Sequence, residues 1–187
     1  MREIEIKARI ADRATLLKRL SLEGVTLSDP VTQHDRVYGR EGVRGDDQDN
    51  HAPWLRIRTE TRGGVAKHIF TLKKSVTNQL DSIEHETEVS DERELLKIIE
   101  HIDFSPYSDL TKTRQKTLFG EVEICVDTVD GLGDFIEVEK LVEDEDVDYE
   151  AVIAELWGVL NRFGVTNEHE ETSGYDVLMR KHQGIDA

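Results

Sequence analysis

Charged and apolar residues alternate along segment after segment of this 187-residue chain. In the first seven residues, Glu3, Glu5 and Lys7 alternate with Ile4 and Ile6. Because successive side chains of a β-strand point to opposite faces, this segment as a strand has one charged face and one apolar face. An ordinary half-buried strand shows the same alternation, so the charges on the other segments decide what the pattern means.

In the later segments, the charges that share a face are mostly of one sign. The acidic sets are Glu84 with Glu86 and Glu88, Glu123 with Asp127, and Glu137 with Glu139. The basic residues at such positions are Arg56, Arg58, Lys73, Lys112, Arg114 and Lys116. An antiparallel sheet with one solvated polar face is the general alternative. Solvated faces usually mix both signs, however, and these cations collect although the net charge is −16. A sheet that closes with its charged faces inward therefore has to be considered.

Turn and cap residues divide the chain into about eight strands and four helices. Gly63 and Gly64 tolerate positive φ, which predicts a tight hairpin between 54–61 and 65–73. The other predicted strands are 1–10, 32–40, 82–89, 108–118, 121–128 and 135–142, with a short extended segment before Pro30 and a long surface loop at 41–52. The predicted helices begin after Asp12, after Ser90 or Asp91, at Tyr149 and after Ser173. This order indicates one α+β domain over residues 1–187, an antiparallel sheet or barrel with helices packed outside.

Composition excludes several classes of protein. With 40 acidic against 24 basic residues, the chain does not offer the basic surface that duplex nucleic acid requires. No apolar run approaches the roughly 20 residues of a membrane-spanning helix. The single cysteine, Cys125, allows no internal disulfide and no zinc-ligand spacing, so a cytoplasmic protein is expected.

If the charged faces line a lumen, they indicate a specific kind of ligand. Arginine and lysine side chains bind polyanions, and arginine holds phosphate oxygens bidentately. Crowded carboxylates repel one another unless a cation neutralises them, and all-oxygen ligation suits Mg²⁺ or Mn²⁺. The acids concerned are Glu3, Glu5, Asp127, Glu137 and Glu139. Together, the two sets predict a site for a metal-bound triphosphate.

At this point the motifs resemble a known family. Glu3-Ile4-Glu5-Ile6-Lys7 is similar to the Glu-x-Glu-x-Lys signature of the CYTH superfamily, the triphosphate tunnel metalloenzymes. The resemblance spans about residues 1 to 180 and is closest to the class IV adenylyl cyclase branch. The further motifs that carry it, in chain order, are Leu55-Arg56-Ile57-Arg58, Thr71-Leu72-Lys73, Glu84-His85-Glu86, Lys112-Thr113-Arg114, residues 127–139 and Ser173-Gly174-Tyr175-Asp176-Val177-Leu178.

The resemblance implies an eight-stranded antiparallel β-barrel, a tunnel with a charged lumen and helices packed outside. It implies metal ligation by Glu3, Glu5, Asp127, Glu137 and Glu139, with Glu86 as a further candidate. It implies phosphate binding by Lys7, Arg56, Arg58, Lys73, Lys112 and Arg114. The residues predicted to be catalytic are Glu3, Glu5, Lys7, Glu137 and Glu139. Gly39 departs from the pattern, because the family commonly has a second aromatic residue at this position.

The implied activity is metal-dependent chemistry on a small-molecule triphosphate such as ATP or polyphosphate. The branch resemblance favours an adenylyl cyclase, which forms cyclic AMP and pyrophosphate. The alternatives are a triphosphatase acting on tripolyphosphate, thiamine triphosphate or a nucleoside triphosphate, and a non-catalytic polyphosphate- or nucleotide-binding module. The same lumen lining serves cyclase and triphosphatase, so the motifs do not choose between them. The resemblance also allows a homodimer.

Overall fold

Eight antiparallel strands form a closed barrel in the computed structural model, which describes residues 2–42, 52–143 and 147–185. The order of strands around the barrel is β1-β5-β4-β3-β2-β6-β7-β8. The strands are β1 (Arg2–Ile10), β2 (Val31–Arg40), β3 (Trp54–Arg62), β4 (Val65–Asn78), β5 (Asp81–Val89), β6 (Phe104–Phe119), β7 (Val122–Val129) and β8 (Gly133–Val142). The helices are α1 (Arg13–Leu22), α2 (Glu92–His101), α3 (Tyr149–Arg162) and α4 (Tyr175–His182), with a short 3-10 helix at Asn167–His169. The predicted eight-stranded antiparallel barrel is confirmed. Within the described ranges, no helix is long and apolar enough to cross a membrane.

Two sequence-based expectations differ from the structure. The segment before Pro30 is not a strand, because Ser28 bonds to β6 through single hydrogen bonds instead of a continuous ladder. Strand β6 begins at Phe104, four residues earlier than predicted, and passes through Pro106 at a register shift opposite Val37 and Tyr38. A proline cannot donate a ladder hydrogen bond, so an irregularity of this kind is where a strand tolerates one. Most of the predicted loop at 41–52 lies outside the described residues.

Three aspartates begin the longer helices by capping them. The side chains of Asp12, Asp91 and Asp148 accept hydrogen bonds from backbone N–H groups three residues later, at 3.1, 3.0 and 3.2 Å. Each bond satisfies one of the N–H groups that a helix start leaves without an internal partner. The predicted caps at Asp12 and Asp91 are confirmed.

The apolar faces of β1, β7 and β8 are covered by α1 and α3. Ile4 and Ile6 of β1 are buried in one core with Leu156 and Leu160 of α3 and with Phe163, which caps the end of that helix. Burying an aliphatic side chain of this size stabilises the fold by about 1.5–3 kcal/mol. Because the apolar faces point outward to the helices, the charged faces of the same strands point into the barrel.

A different helix packs against each of the remaining parts of the barrel. Helix α2 packs its Ile99 against Leu55 and Ile57 of β3, on the outer face. Helix α4 instead packs Tyr175 against Phe135, which shares the inward face of β8 with the charged residues of that strand. The rings of Tyr175 and Phe135 meet edge-on with centroids 5.1 Å apart. Helix α4 therefore lies across one end of the lumen.

Trp54 lies over Gly39 at the start of β3, and this contact leads to a stability prediction. A Cβ atom at position 39 would lie inside van der Waals contact of the Trp54 ring, which also packs on Tyr107 at 4.6 Å. We expect Gly39→Ala to destabilise the protein by about 1–3 kcal/mol, the usual range for overpacking. Urea unfolding followed by tryptophan fluorescence measures the change.

Gly158 provides the matched control for this prediction. A Cβ atom at Gly158 in α3 meets open space. Gly158→Ala should therefore stabilise the helix by about 0.5–1 kcal/mol. If Gly39→Ala unfolds at the same urea concentration as the wild type, the packing of the Trp54 ring does not require a glycine at position 39.

Candidate metal and phosphate site in the barrel lumen

The barrel encloses a cavity of about 440 Å³ that is lined by residues from all eight strands and from the start of α4. All of the residues that the sequence predicted for the site line this cavity, with the exception of Asp127. They are Glu3, Glu5, Lys7, Arg56, Arg58, Lys73, Glu86, Lys112, Arg114, Glu137 and Glu139. Asp127 points the same way but is fully buried beneath its cationic partners.

Three carboxylates from β1 and β8 converge on one point of the lumen. Oxygen atoms of Glu3, Glu5 and Glu139 all lie within 4.8 Å of one another. Glu5 lies 3.6 Å from the Lys7 ammonium. The side chains of Glu3 and Glu139 form no hydrogen bond or ion pair with any residue in the described part of the chain. Oxygen-only ligands at this spacing fit a hard divalent cation such as Mg²⁺ or Mn²⁺.

The same three carboxylates are costly to ionise without a cation. Burial raises the pKa of Glu3 to about 7, with Lys73 opposing the shift and Glu84 and Glu5 adding to it. Burial and the adjacent Glu3 carboxylate raise the pKa of Glu139 well above its usual range. Burial, followed by the charge of Glu137, also raises the pKa of Glu5. A bound divalent cation would favour the ionised forms of all three.

Asp127 and Glu137 lie in a second group, in which cations already neutralise the acids. Arg114 donates to both Asp127 oxygens at 2.8 and 2.6 Å, and Lys112 donates to Asp127 at 3.0 Å. Arg114 also donates to Glu137, whose other oxygen lies 3.3 Å from Lys7. Although burial opposes the shift, Arg114 holds the pKa of both acids below the usual range. The structure therefore divides the five predicted metal acids into a convergent trio and a cation-paired couple.

On the other side of the lumen, two cations are each held by an acid from a neighbouring strand. Arg58 forms two hydrogen bonds of 2.7 Å with Asp35. Lys73 lies 2.8 Å from Glu84. These pairs fix the direction of each cation before any ligand is bound.

The structure separates Glu86 from the convergent carboxylates. The Glu86 side chain is 48% exposed, and it accepts hydrogen bonds from Arg56 at 3.0 Å and Thr71 at 2.7 Å. Glu84, which the sequence prediction did not include in the site, lies close enough to Glu3 to raise its pKa. The sequence signal for Glu84 was its spacing of two residues from Glu86 on β5, which places both side chains on the same face of the strand.

Tyr175 of α4 connects the closed end of the lumen to the phosphate-binding candidates. The ammonium groups of Lys7 and Lys112 lie 4.3 and 4.7 Å from the centroid of its ring. Lys7 also donates to the backbone carbonyl of Ser173 at 3.3 Å. Burial and the nearby Glu137 carboxylate raise the pKa of Tyr175 well above its usual range. The phenol therefore stays neutral and supports two cations through its ring.

Cys125 also faces the lumen, next to Glu123 and Glu139. Its sulfur lies 3.8 Å from a Glu123 oxygen, and the side chain is fully buried. Burial raises the pKa of the thiol well above its usual range. Since the thiolate is the nucleophilic form, this environment argues against a nucleophilic role.

The raised pKa of Glu3 predicts how the stability of the metal-free protein depends on pH. Its ordinary value is 4.5 and its value in the folded chain is about 7, so the folded state binds more protons than the unfolded state between these limits. The contribution of Glu3 to stability is therefore lost as pH rises through this window. Glu3→Gln removes the titration, and we expect the Tm of this variant to rise relative to the wild type between about pH 5 and pH 7.5.

Thermal unfolding in EDTA, repeated across this pH range, measures the difference. Glu121→Gln is the control, because the Glu121 side chain is 84% exposed. A constant difference in Tm between Glu3→Gln and wild type at every pH would contradict the prediction.

Known proteins share both the sequence pattern and the barrel. The model of the CYTH domain family matches residues 1–175. A relative from Methanocaldococcus jannaschii, named "Putative adenylate cyclase MJ0240", is 25% identical over 171 residues, which cover 90% of this chain and 93% of the relative. The structure of PH1819 protein from Pyrococcus horikoshii OT3 has a TM-score of 0.79 and 25% identity, and covers 96% of this chain and 99% of that chain.

A Hippeastrum protein shares the fold at lower identity. Its structure has a TM-score of 0.61 and 18% identity, and covers 100% of this chain and 98% of that chain. That protein is described as a "putative adenylyl cyclase" that reveals a dominant triphosphatase activity. The family match extends over all eight strands of the barrel and ends at Tyr175, the first residue of α4. The chain belongs to the CYTH domain family.

Proposed function

We propose that this chain is a divalent-cation-dependent enzyme that acts on a triphosphate, with cyclisation of ATP to cyclic AMP and pyrophosphate as the first candidate reaction. One observation carries the proposal: Glu3 and Glu139, which have no ion-pair partner among the described residues, share the lumen with cations aimed by acids of neighbouring strands. The name of the Methanocaldococcus jannaschii relative supports the choice of a cyclase.

The convergent carboxylates would hold the cation in this scheme. Glu3, Glu5 and Glu139 supply oxygen ligands from two adjacent strands, where β1 and β8 pair Glu5 directly with Glu139. When bound, a divalent cation neutralises phosphate charge and acts as a Lewis acid on a phosphoryl oxygen.

The cations of the lumen would bind and orient the phosphates. Arg114 presents a planar fork that suits two phosphate oxygens, whereas Lys7 and Lys112 act as point charges beside it. In the free protein the same groups bind Asp127 and Glu137, so their positions are already set before substrate arrives. Such preorganised charge is the main contribution that a protein makes to phosphoryl transfer.

A triphosphatase is the second candidate function. The dominant triphosphatase activity of the Hippeastrum protein supports it, because that protein shares the barrel with this chain. The two reactions differ in the attacking group, which is the ribose 3′-hydroxyl in cyclisation and a water molecule in hydrolysis. The phosphate-binding residues have the same task in both.

A product assay distinguishes the candidates. Purified protein is incubated with ATP, tripolyphosphate or thiamine triphosphate, each with Mg²⁺ or Mn²⁺ and with EDTA as the blank. Cyclic AMP and pyrophosphate from ATP support the cyclase, whereas free phosphate supports the triphosphatase. Turnover that persists in EDTA, or no turnover and no binding of any triphosphate, would reject the proposed function.

A further inference from the structure

Gln33 is a buried neutral polar residue beside charged side chains of the lumen. It lies on β2, which is four strands away from β1 around the eight-stranded ring and thus opposite the convergent carboxylates. Its side chain lines the cavity and is only 4% exposed. Gln33 is not one of the carboxylates that converge in the lumen, so the candidate metal site does not explain its position.

A hydrogen bond to Glu60 fixes the orientation of the Gln33 amide. The Nε2 group of Gln33 donates to a Glu60 oxygen at 2.7 Å. A carboxylate only accepts hydrogen bonds, so the nitrogen must face Glu60 and the oxygen must face the other way. That oxygen, Oε1 of Gln33, is buried and has no hydrogen-bond partner among the described residues. Buried acceptors are normally satisfied, so this one indicates a donor that comes with a ligand.

Phosphate does not satisfy this acceptor. At neutral pH the bridging and most terminal oxygens of a triphosphate accept hydrogen bonds and do not donate them, and the Glu60 carboxylate beside Gln33 repels them further. In the strand register, Gln33 is paired with Lys112. The Gln33 acceptor therefore lies next to Lys112, which is a candidate for binding phosphate. A hydrogen-bond donor on the group attached to the triphosphate would be close enough to reach it.

We propose that Gln33, oriented by Glu60, is a specificity-determining residue that accepts a hydrogen bond from a hydroxyl or amino group on the sugar or base of a nucleoside triphosphate. The inference rests on the proposed function and adds to it a preference for nucleoside triphosphates over inorganic tripolyphosphate. Inorganic tripolyphosphate has no such donor, so Gln33 discriminates between the two kinds of substrate.

Calorimetric binding of ATP and of tripolyphosphate, both in EDTA to suppress turnover, tests the proposal. Gln33→Met keeps the length of the side chain and removes the acceptor. We expect its affinity for ATP to fall by about 3- to 10-fold, the usual value of one hydrogen bond between neutral groups. Its affinity for tripolyphosphate should not fall, so the ratio of the two affinities changes.

Gln115 provides a matched control on β6. Its amide is engaged at both ends, by Arg13 at 2.6 Å and by the Ser28 carbonyl at 3.0 Å. Gln115→Met should leave the affinity ratio at its wild-type value. Glu60→Gln is the second test variant. A glutamine at position 60 can donate as well as accept, so it no longer fixes which way the Gln33 amide is flipped. We expect a smaller change of the affinity ratio in the same direction.

Analogues that each lack one donor identify the group that Gln33 accepts from. They are 2′-deoxy-ATP, 3′-deoxy-ATP and inosine triphosphate. One of the three should bind the wild type more weakly than ATP and show no further loss in Gln33→Met. Additive losses with all three, or equal losses for ATP and tripolyphosphate, would overturn the inference. If the wild type binds neither ATP nor tripolyphosphate in EDTA and turns over neither with Mg²⁺ or Mn²⁺, the proposed function itself fails. Binding of both with an unchanged ratio in the variant rejects only the role of Gln33.

Discussion

Glu139→Gln is expected to lower metal-dependent turnover of the triphosphate by at least about 100-fold, since even groups that only support a metal ligand contribute 10- to 100-fold. A carboxylate oxygen of Glu139 lies within 4.8 Å of oxygens of Glu3 and Glu5, and one lies within the same distance of ligand atoms of Glu123 and Cys125. Glu139 therefore belongs to both groups of side chains among the described residues that could hold a metal here, and its replacement affects both. The amide retains the shape of the side chain but offers a much weaker ligand to Mg²⁺ or Mn²⁺.

Stability separates this effect from simple unfolding. The Glu139 carboxyl has a pKa raised by burial and by Glu3, so an uncharged amide relieves repulsion in the metal-free protein. We expect metal-free Glu139→Gln to have the same Tm as the wild type or a higher one, while the increase in Tm on adding Mn²⁺ disappears. Thermal unfolding with and without Mn²⁺ therefore accompanies the turnover assay.

Glu121→Gln serves as the control for this prediction as well. Glu121 lies on the turn before β7, with its side chain 84% exposed and a Lys140 contact of 3.4 Å. Its turnover and its response to Mn²⁺ should equal those of the wild type. Glu139→Gln with turnover within a few-fold of wild type and an intact response to Mn²⁺ would show that the convergent carboxylates do not hold the metal.

Asp127→Asn is expected to destabilise the protein by about 3–5 kcal/mol, the usual cost of removing one partner from a buried ion pair. Asp127 is fully buried and is bonded to both Lys112 and Arg114. An asparagine cannot compensate the two cations, which then face each other in the interior with Glu137 as the remaining acid. Urea unfolding at neutral pH measures the loss.

An exposed aspartate provides the comparison. Asp109 is 68% exposed and contacts His34 at 2.8 Å on the outer face, so Asp109→Asn should change stability by less than about 1 kcal/mol. A triphosphate should also compensate the cations that Asp127→Asn leaves unpaired. Tripolyphosphate is therefore expected to raise the urea midpoint of Asp127→Asn more than that of the wild type. A loss below about 1 kcal/mol would show that Asp127 is not needed to hold these cations.

Much of the site could be predicted from the sequence because the direction of a strand side chain is a local property. Ile4 and Ile6 are long apolar residues between charged ones, and once β1 forms, backbone geometry alone sends them to one face and Glu3 and Glu5 to the other. The same parity places Arg114 and Glu137 in the lumen. Local rules also predicted the caps at Asp12 and Asp91.

The residues that the prediction left out are those whose importance depends on a partner. Asp35 and Glu84 are ordinary polar positions in the sequence, and they matter because Arg58 and Lys73 reach them across the sheet. Gln33 is inconspicuous until Glu60 fixes its amide and leaves its oxygen without a partner among the described residues. Such pairs depend on the register between strands that are up to about 30 residues apart in sequence.

The sequence by itself thus determined which side chains enter the lumen, because the alternation of a strand is set residue by residue. Only the tertiary structure decided how the acids divide, since that depends on barrel closure. Closure places Arg114 between Asp127 and Glu137, and leaves Glu139 beside Glu3 with no cation of its own among the described residues. The docking of α4 likewise puts the Tyr175 ring against Lys7 and Lys112, a contact that joins residues more than 60 positions apart and that no local pattern encodes.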